Sequence, residues 1–307
     1  MSSAWLLNTR SHLIKLRTKK TLKLARLAPV VFVLLWSTGF VGAKYALPFA
    51  DPFILLAIRI LVASLLLFAV AWIAKSSLSI GTDAIKKSAV IGVFLHAAYL
   101  GGVFFAISQG LPAGVAAVIT SLQPVFVSIL AVKFLGEKLR KIQLVGLFLG
   151  LIGVVLVLGP SFNNKLPLIG IVSVFIALAG STTATLLQKK FGTGIPLIAG
   201  TAYQYLASGI ILALMAAATG GVHIEWTLHF TLAFLWLLFA LSFGAILLLL
   251  WLLNNGSAAS VSSLMYLVPP VTALEAYLLF GEKVNTQGFL GIGICALGVW
   301  LVMRAAN

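Results

Sequence analysis

The sequence predicts an all-α, polytopic membrane protein with ten transmembrane helices, arranged as two inverted repeats of five helices each. Three features lead to this prediction: an apolar composition, a series of long uncharged stretches, and a pattern that recurs in the second half. Of the 307 residues, 61% are hydrophobic and 9% are charged, and the mean hydropathy is +1.14. A soluble domain carries about 25% charged residues. The deficit of charge indicates a surface that faces lipid.

The uncharged stretches are long enough for ten membrane crossings. A helix needs about 20 mostly apolar residues to cross the hydrocarbon core, at a rise of about 1.5 Å per residue. Glycine, proline, asparagine and charged residues divide the stretches from one another. The predicted spans are 28–47, 53–74, 88–108, 113–134, 142–159, 167–188, 196–218, 231–253, 257–280 and 286–303.

The positive charges predict the orientation of these spans. The formal net charge is +15, and basic residues are concentrated in the first 26 positions, at Arg10, Lys15, Arg17, Lys19, Lys20, Lys23 and Arg26. Most other basic residues fall in alternate loops, at Lys75, Lys86, Lys87, Lys133, Lys138, Arg140, Lys141, Lys189, Lys190 and Arg304. The opposite loops hold only Lys44, Lys165 and Lys283. The positive-inside rule then places both termini in the cytoplasm of a multi-pass inner-membrane protein.

This distribution also bears on the partners. Basic residues that flank apolar runs are typical of topogenic charge beside anionic lipid rather than of nucleic-acid binding. We therefore expect the lipid bilayer and a small-molecule substrate as partners, and no nucleic acid. The chain is expected to be a monomer or a homodimer.

An internal repeat is the strongest pattern in the sequence. Leu122-Gln123-Pro124 precedes Gly136-Glu137-Lys138 by the spacing at which Leu267-Val268-Pro269 precedes Gly281-Glu282-Lys283. The offset between the two copies is 145 residues, as from Pro124 to Pro269. Nearer the N-terminus an offset of 144 residues relates 59–64 to 203–208.

The repeat defines two halves of opposite orientation. We expect a basic cytoplasmic tail at 1–27, a first repeat at 28–160 and a second repeat at 165–304. Because each half has five spans, the second half is inverted, so Glu137 lies inside and Glu282 outside. Two near-equivalent inverted halves can open to either side in turn, which is the basis of alternating access around a site near the midplane.

The same residues carry a family resemblance. Trp36-Ser37-Thr38-Gly39-Phe40, Arg59 with Ala63, the Leu-Gln-Pro motif and the two Gly-Glu-Lys turns are similar to the EamA family of the drug/metabolite transporter superfamily. The resemblance covers about residues 28–303. It implies a ten-helix carrier that exports or exchanges amino acids or similar metabolites. It also implies that helices 1–4 and 6–9 line a central cavity, with helices 5 and 10 behind.

We therefore expect a secondary active transporter of small polar metabolites that works by alternating access. The alternative is a polytopic membrane enzyme that acts on a lipid-linked substrate. Such enzymes typically show clustered acids or histidines, whereas this chain has six acids, 4 histidines and one cysteine, Cys295. No spacing resembles a catalytic triad, a metal site or a nucleotide-binding loop. We expect no catalytic residue, no metal and no cofactor.

Polar and aromatic side chains inside the spans are the candidates for substrate binding. The predicted residues are Trp36, Arg59, His96, Tyr99, Tyr203, Gln204, Tyr266 and Glu275. Trp36 lies in the middle of a span, away from the interfacial belt that tryptophan prefers. His96 and Tyr99 share one helical face at i and i+3. The alternative for a single Tyr or Gln is a hydrogen bond to a neighbouring helix.

Three charged residues are candidates for gating or ion coupling: Lys44, Arg59 and Glu275. Charges inside a bilayer are costly and are usually paired or face water. At about 1.5 Å per residue, Arg59 and Glu275 both lie roughly 8–9 Å below the outer surface. We expect Glu275 to pair with Arg59 or Lys44 when the carrier is closed outside. The alternatives are a fixed salt bridge, and a Lys44 that only reaches the interface.

Prolines and glycines predict special packing. Pro124 and Pro269 lie inside spans at equivalent positions of the two halves. Proline frees a carbonyl and bends a helix, so each kink either shapes a central site or is a static bend. Glycines recur along helices 5 and 10, which predicts close helix packing there.

Overall fold

Helices make up nearly all of the described chain. The computed structural model describes residues 27–75, 77–111, 113–158, 166–280 and 286–306. Within these ranges the extended pairing is limited to one isolated antiparallel bridge, between Ala50 and Ile224. The predicted basic tail up to residue 26, Lys165 and the second Gly-Glu-Lys turn at 281–283 lie outside the described residues.

The described residues form ten helical segments, which we number α1–α10. Their bounds are α1 Leu27–Phe49, α2 Pro52–Ile73, α3 Thr82–Ser108, α4 Ala113–Thr120 with Gln123–Leu135, α5 Lys141–Leu158, α6 Leu168–Gly194, α7 Leu197–Thr219, α8 Leu228–Asn255, α9 Ala258–Ser263 with Leu264–Leu267 and Val268–Phe280, and α10 Thr286–Ala306. Each segment overlaps one predicted span.

Four of the described helices contain an irregular stretch in their interior. α3 is π-helical at Val93–Leu100 and α8 at Leu237–Ala245. α4 is interrupted at 121–122, and the stretch Leu264–Leu267 of α9 is a 3-10 helix. The latter two stretches end two residues before Pro124 and Pro269, where a proline ring blocks the i−4 carbonyl and has no N–H to donate. Irregular backbone at membrane depth is tolerated where it lines a protein-enclosed cavity.

The outer surface is apolar. Seven of the described helices are long and apolar enough to cross a membrane, and shorter apolar helices occur in α4, α5 and α9. Large side chains such as Leu65, Trp72, Leu168 and Leu278 are more than half exposed on this surface. A soluble monomeric protein rarely exposes so much apolar surface. The chain is a membrane protein with several membrane-spanning helices, as the composition predicted.

Glycines allow α5 and α10 to touch backbone to backbone. A Cβ on Gly298 would lie 2.6 Å from the Gly146 carbonyl oxygen and 2.6 Å from the Gly150 nitrogen. A Cβ on Gly146 would lie 2.6 Å from the Gly298 carbonyl oxygen, and one on Gly153 would lie 2.6 Å from the Cys295 nitrogen. Only residues without a Cβ permit this approach. The predicted glycine packing is therefore an α5–α10 seam within the chain, and Cys295 is buried in it.

Loop contacts define two opposite ends of the helix bundle. At the first, the Asp51 end, Asp51 N–H donates to the His223 carbonyl (3.1 Å) and Glu225 N–H donates to the Phe49 carbonyl (2.7 Å). At the second, the Glu137 end, the Glu137 carboxylate accepts hydrogen bonds from the backbone of α9. α8 connects the two ends, and its 28 residues span about 42 Å at about 1.5 Å each.

Candidate functional site

Two neighbouring cavities occupy the middle of the bundle. The space between their lining side chains, part of which is open to solvent, is about 540 Å³ in the first and about 480 Å³ in the second. Trp36 and Phe40 of α1 and Tyr99 of α3 line both cavities, and we call these three residues the aromatic partition.

The first cavity is lined by hydroxyl and amide groups, and we call it the hydroxyl chamber. Its polar lining consists of Thr120, Ser121, Gln123, Ser181, Thr185 and Ser262. It extends towards the Glu137 end, since Leu253 and Val261 also line it. The chamber therefore offers uncharged hydrogen-bonding groups to a polar molecule.

The irregular stretches of α4 and α9 build this chamber. The Ser121 hydroxyl, at the interruption of α4, donates to the Ala117 carbonyl (2.6 Å). Gln123, the first residue after the interruption, donates through Nε2 to Thr185 Oγ1 of α6 (3.0 Å). Pro269 of α9 lines the opposite wall. The prolines thus lie where the helices turn polar backbone and side chains towards the cavity, although the role of the kinks in transport stays a prediction.

The second cavity is apolar apart from one guanidinium, and we call it the arginine chamber. Besides the aromatic partition it is lined by Gly39, Ala43, Arg59, Leu100, Val103, Phe104, Ile107, Leu241 and Ile246. Arg59 of α2 is 3% exposed, and its guanidinium lies 5.9 Å from the centroid of the Phe104 ring. Arg59 Nε has no hydrogen-bond partner among the described groups. This chamber extends towards the Asp51 end, where α2 begins.

The aromatic partition is held by ring packing. Trp36 is 5% exposed, and its ring is nearly parallel to that of Tyr99, at 5° and 6.2 Å between centroids. The Phe32 ring also packs against Trp36, with the ring centroids 5.3 Å apart. Such contacts fix the orientation of the rings. Trp36 and Tyr99, both predicted from the sequence, therefore lie at the junction of the two chambers.

His96 lies behind the chambers rather than among their lining residues. Its ring meets that of Tyr205 edge-on, with centroids 4.7 Å apart. Both His96 ring nitrogens are buried and have no partner among the described groups. The Tyr205 hydroxyl donates to the Ser242 carbonyl at 2.5 Å. Tyr205 on α7 thereby connects the π-helical stretch of α3, which holds His96, to that of α8, which holds Ser242.

The other predicted aromatic and amide residues lie away from both chambers. The Tyr203 hydroxyl donates to the Leu78 carbonyl (3.3 Å). Gln204 donates to Gln188 (3.1 Å), which in turn donates to Asn254 (3.1 Å) near the Glu137 end. Tyr266 is fully buried against α5, where a Cβ on Gly150 would overlap its ring. In this structure Gln204 bonds to a neighbouring helix, Tyr266 packs against one, and Tyr203 bonds to the α2–α3 loop. Their role in substrate binding stays a prediction.

Glu275 contacts α1. Ser37 Oγ donates to Glu275 Oε1 (2.9 Å), and the Thr272 hydroxyl donates to the Ser37 carbonyl (3.4 Å). Glu275 Oε2 is buried without a described partner. The described bond of this carboxylate therefore goes to Ser37 and not to Arg59. Lys44 lies on α1, two turns beyond Ser37, with its side chain exposed.

The sequence analysis did not select Gln123, Ser181 and Thr185 for the site. Two signals could have found them. Gln123 directly precedes the repeated proline, and Ser181 and Thr185 are spaced i, i+4 on one face of α6. Among the described residues, no group of three His, Cys, Asp or Glu side chains could hold a metal ion.

Comparisons with known proteins agree with this architecture. The chain matches the EamA-like transporter family twice, over residues 24–159 and 168–304. It belongs to the EamA family.

Several relatives of this EamA chain are named as transporters. It is 26% identical to the uncharacterized transporter YvbV of Bacillus subtilis over 274 residues, or 88% of each chain. It is also 26% identical to the uncharacterized inner membrane transporter YedA of Escherichia coli, covering 88% of this chain and 87% of YedA. One solved crystal structure has the same fold, with a TM-score of 0.76 at 19% identity, and the match covers 92% of this chain and 98% of that one. These findings assign the chain to a family of membrane transporters, and they lend no support to the alternative of a membrane enzyme.

Proposed function

We propose that this EamA protein is a secondary active transporter of small polar metabolites, such as amino acids, and that it works by alternating access. The observation that carries the proposal is the pair of chambers on either side of the aromatic partition. A central site with cavities directed to both ends fits a substrate that enters from one side and leaves to the other. The chamber walls of hydroxyls, amides and aromatic rings suit a small molecule with both polar and apolar parts.

An inverted repeat of five spans per half is part of the proposal. The family matches the chain in two consecutive copies. In addition, the irregular stretches fall at corresponding places: the π-helical stretches in α3 and α8, and the interruptions before Pro124 and Pro269 in α4 and α9. The ten helical segments of the described chain support ten crossings. Seven of them are long enough to span a membrane, and α4, α5 and α9, with shorter apolar helices, supply the other three crossings.

The proposed location is the inner membrane, with both termini and the Glu137 end in the cytoplasm. The positive-inside rule supports this orientation, and the relative YedA is named as an inner membrane transporter. With an odd number of spans per half, position 138 would face the cytoplasm and position 283 the outside.

Thiol labelling in intact cells tests this topology. Cys295 is buried, so Cys295→Ala gives a background without a native thiol. A single cysteine at Asp51, Glu225 or Lys283 should react with a membrane-impermeant maleimide, and one at Lys138 should react only after the cells are opened. Labelling of position 138 but not of position 283 in intact cells would contradict the inverted repeat.

Polar contacts at the Glu137 end support a closed cytoplasmic gate. Glu137 Oε1 accepts from Ala258 N–H (2.7 Å) and Oε2 from Ala259 N–H (3.3 Å), so the carboxylate caps the N-terminus of α9. Lys189 Nζ donates to the carbonyls of Leu253 (3.2 Å) and Gly256 (2.6 Å). Negative charge at a helix N-terminus is favourable, as is positive charge at a helix C-terminus. These bonds hold α4 and α6 against the α8–α9 turn.

Opposite this gate the bundle is more open. A wide cavity of about 780 Å³ lies at the Asp51 end, lined by Leu47, Ala50, Asp51, Pro52, Phe53, Phe105, Ser108, Gln109, Thr219 and Gly221. Because the Glu137 end is closed and the Asp51 end is open, we place the structure near the outward-facing state of the transport cycle. In the inward-facing state the Glu137 cap on α9 would be broken.

Glu137→Gln is expected to loosen the cytoplasmic gate. The amide group loses the charge and one acceptor, which costs about 1–3 kcal/mol of gate stability. A cysteine at Ser262 in the hydroxyl chamber should then react about tenfold faster from the cytoplasmic side, measured in inside-out vesicles, because about 1.4 kcal/mol corresponds to a tenfold population shift. Glu225→Gln, at the exposed His223 contact of the other end, is the matched control. Equal labelling rates in Glu137→Gln and the control would contradict the gate.

Vesicles containing the purified protein test the transport function directly. They should accumulate or exchange labelled amino acids, and a polyanion such as a sugar phosphate should be a poor substrate, since one cation lines the two chambers in the described part of the chain. Vesicles that move sugar phosphates and no amino acid would defeat the proposed substrate class.

A further inference from the structure

Arg59 is a buried cation in apolar surroundings. Its side chain is 3% exposed, lines the arginine chamber, and lies beside the Phe104 ring. Its Nε has no hydrogen-bond partner among the described groups. A charge removed from water is costly unless an opposite charge or several hydrogen bonds replace the solvent. The position therefore calls for an anion.

The acids in the described part of the chain do not supply that anion. Asp51 accepts from the backbone of His223, Asp83 pairs with Lys87, and Glu225 contacts the His223 ring. Glu137 caps α9, and Glu275 bonds to Ser37. Each of these carboxylates has its described contact elsewhere, so the guanidinium is left facing the chamber.

The walls of the chamber around Arg59 are apolar. Besides Arg59, the described lining consists of glycine, aliphatic and aromatic side chains, which suit the apolar part of a ligand. Neither chamber has an acidic side chain among its described lining residues. A ligand ammonium group would therefore find no opposite charge here, whereas a planar carboxylate could form paired hydrogen bonds with the guanidinium.

We infer that Arg59 binds the carboxylate of the substrate, and that the substrate class is an apolar or aromatic monocarboxylate. This inference rests on the proposed transport function and narrows it. The carboxylate of an apolar amino acid meets the same requirement, and its amino group is dispensable for recognition. The apolar body lies in the arginine chamber against the aromatic partition, with polar substituents reaching towards the hydroxyl chamber.

Three compounds that share a phenyl ring and a CH2 group and differ in headgroup test the recognition of a carboxylate. Purified protein in lipid nanodiscs is heated with phenylacetate, with the neutral phenylacetamide, or with the cation phenethylamine. Ligands that bind the folded protein raise its melting temperature. We expect a dose-dependent rise with phenylacetate and at least tenfold weaker responses with the other two. Equal responses to phenylacetate and phenylacetamide would overturn the inference.

Substitutions of Arg59 test the residue. Arg59→Met keeps an unbranched, flexible side chain, although a shorter one, and removes the charge, so the response to phenylacetate should weaken at least tenfold. The empty Arg59→Met protein should melt at a temperature equal to or above that of the wild type, because an uncompensated buried charge is removed. Arg304→Gln, at an exposed residue of α10, is the control and should respond as the wild type does. A lower melting temperature together with an unchanged phenylacetate affinity would assign Arg59 to structure and overturn the inference.

Transport assays separate this inference from the proposed function. If vesicles carry amines or neutral metabolites, and Arg59→Met carries them at the wild-type rate, the carboxylate site is refuted and the transport function stands. If phenylacetate stabilises the wild type through Arg59 while vesicles transport none of the metabolites offered, the site stands and the transport function fails.

Discussion

Glu275→Gln is expected to abolish gradient-driven transport, or its dependence on pH, in a protein that still folds. Glu275 is an acid within α9, and one of its carboxylate oxygens is buried without a described partner. We propose that it accepts a proton, or exchanges Ser37 for Arg59 or Lys44, when the outer end closes. A glutamine keeps the shape and the Ser37 contact but cannot carry the charge or the proton.

The measurement is uptake by vesicles with an imposed proton gradient, compared over about pH 5 to 8, where a coupled carboxyl group changes the rate. Substrate exchange without a gradient should survive in Glu275→Gln, because exchange needs no net proton movement. Glu225→Gln serves as the matched control, since Glu225 lies at the exposed Asp51 end. Wild-type rates for Glu275→Gln throughout this range would show that Glu275 is neither a gate nor a proton site.

Gly298→Ala is expected to destabilise the protein by about 1–3 kcal/mol or more, as overpacking of a tight interface does. The added methyl would lie 2.6 Å from the Gly146 oxygen and the Gly150 nitrogen, which are backbone atoms that cannot rotate away. The α5–α10 seam would have to separate along its length. Unfolding of the purified protein in detergent, followed by circular dichroism, measures the effect.

A second glycine of α10 provides the control for this substitution. A Cβ on Gly293 would meet no atom within 4 Å, and alanine stabilises a helix interior by about 0.5–1 kcal/mol relative to glycine. Gly293→Ala should therefore leave the melting temperature unchanged or raise it, whereas Gly298→Ala lowers it. Equal shifts for the two variants would contradict the seam.

The positions of the helices could be predicted from the sequence, because long apolar runs and the residues that interrupt them are local features. Each predicted span overlaps a helix, and the glycine rows correctly indicated close packing along α5 and α10, but not that these two helices pack against each other. The number of crossings and the inverted repeat remain predictions. The π-helical stretches were not foreseen, since no residue type marks them.

The orientation of side chains was harder to predict than the helices. A soluble helix shows its inner face by hydrophobicity, but a membrane helix is apolar towards both lipid and core. Polar character selected Trp36, Tyr99 and Arg59, which line the chambers, but equally selected Tyr266, which packs against Gly150. Only the three-dimensional arrangement separates these cases.

The two π-helical stretches differ in length, and under the proposed repeat this difference is the expected place of a single-residue insertion. Val93–Leu100 has 8 residues and Leu237–Ala245 has 9. The stretches begin 144 residues apart, at Val93 and Leu237, and end 145 apart, at Leu100 and Ala245. An extra residue in a regular α-helix would rotate everything after it by about 100°, whereas a wider π turn absorbs the residue. When the first half is aligned with the second, the one-residue gap therefore lies in the first half, opposite 237–245. The helix faces before and after the gap then correspond in the two halves.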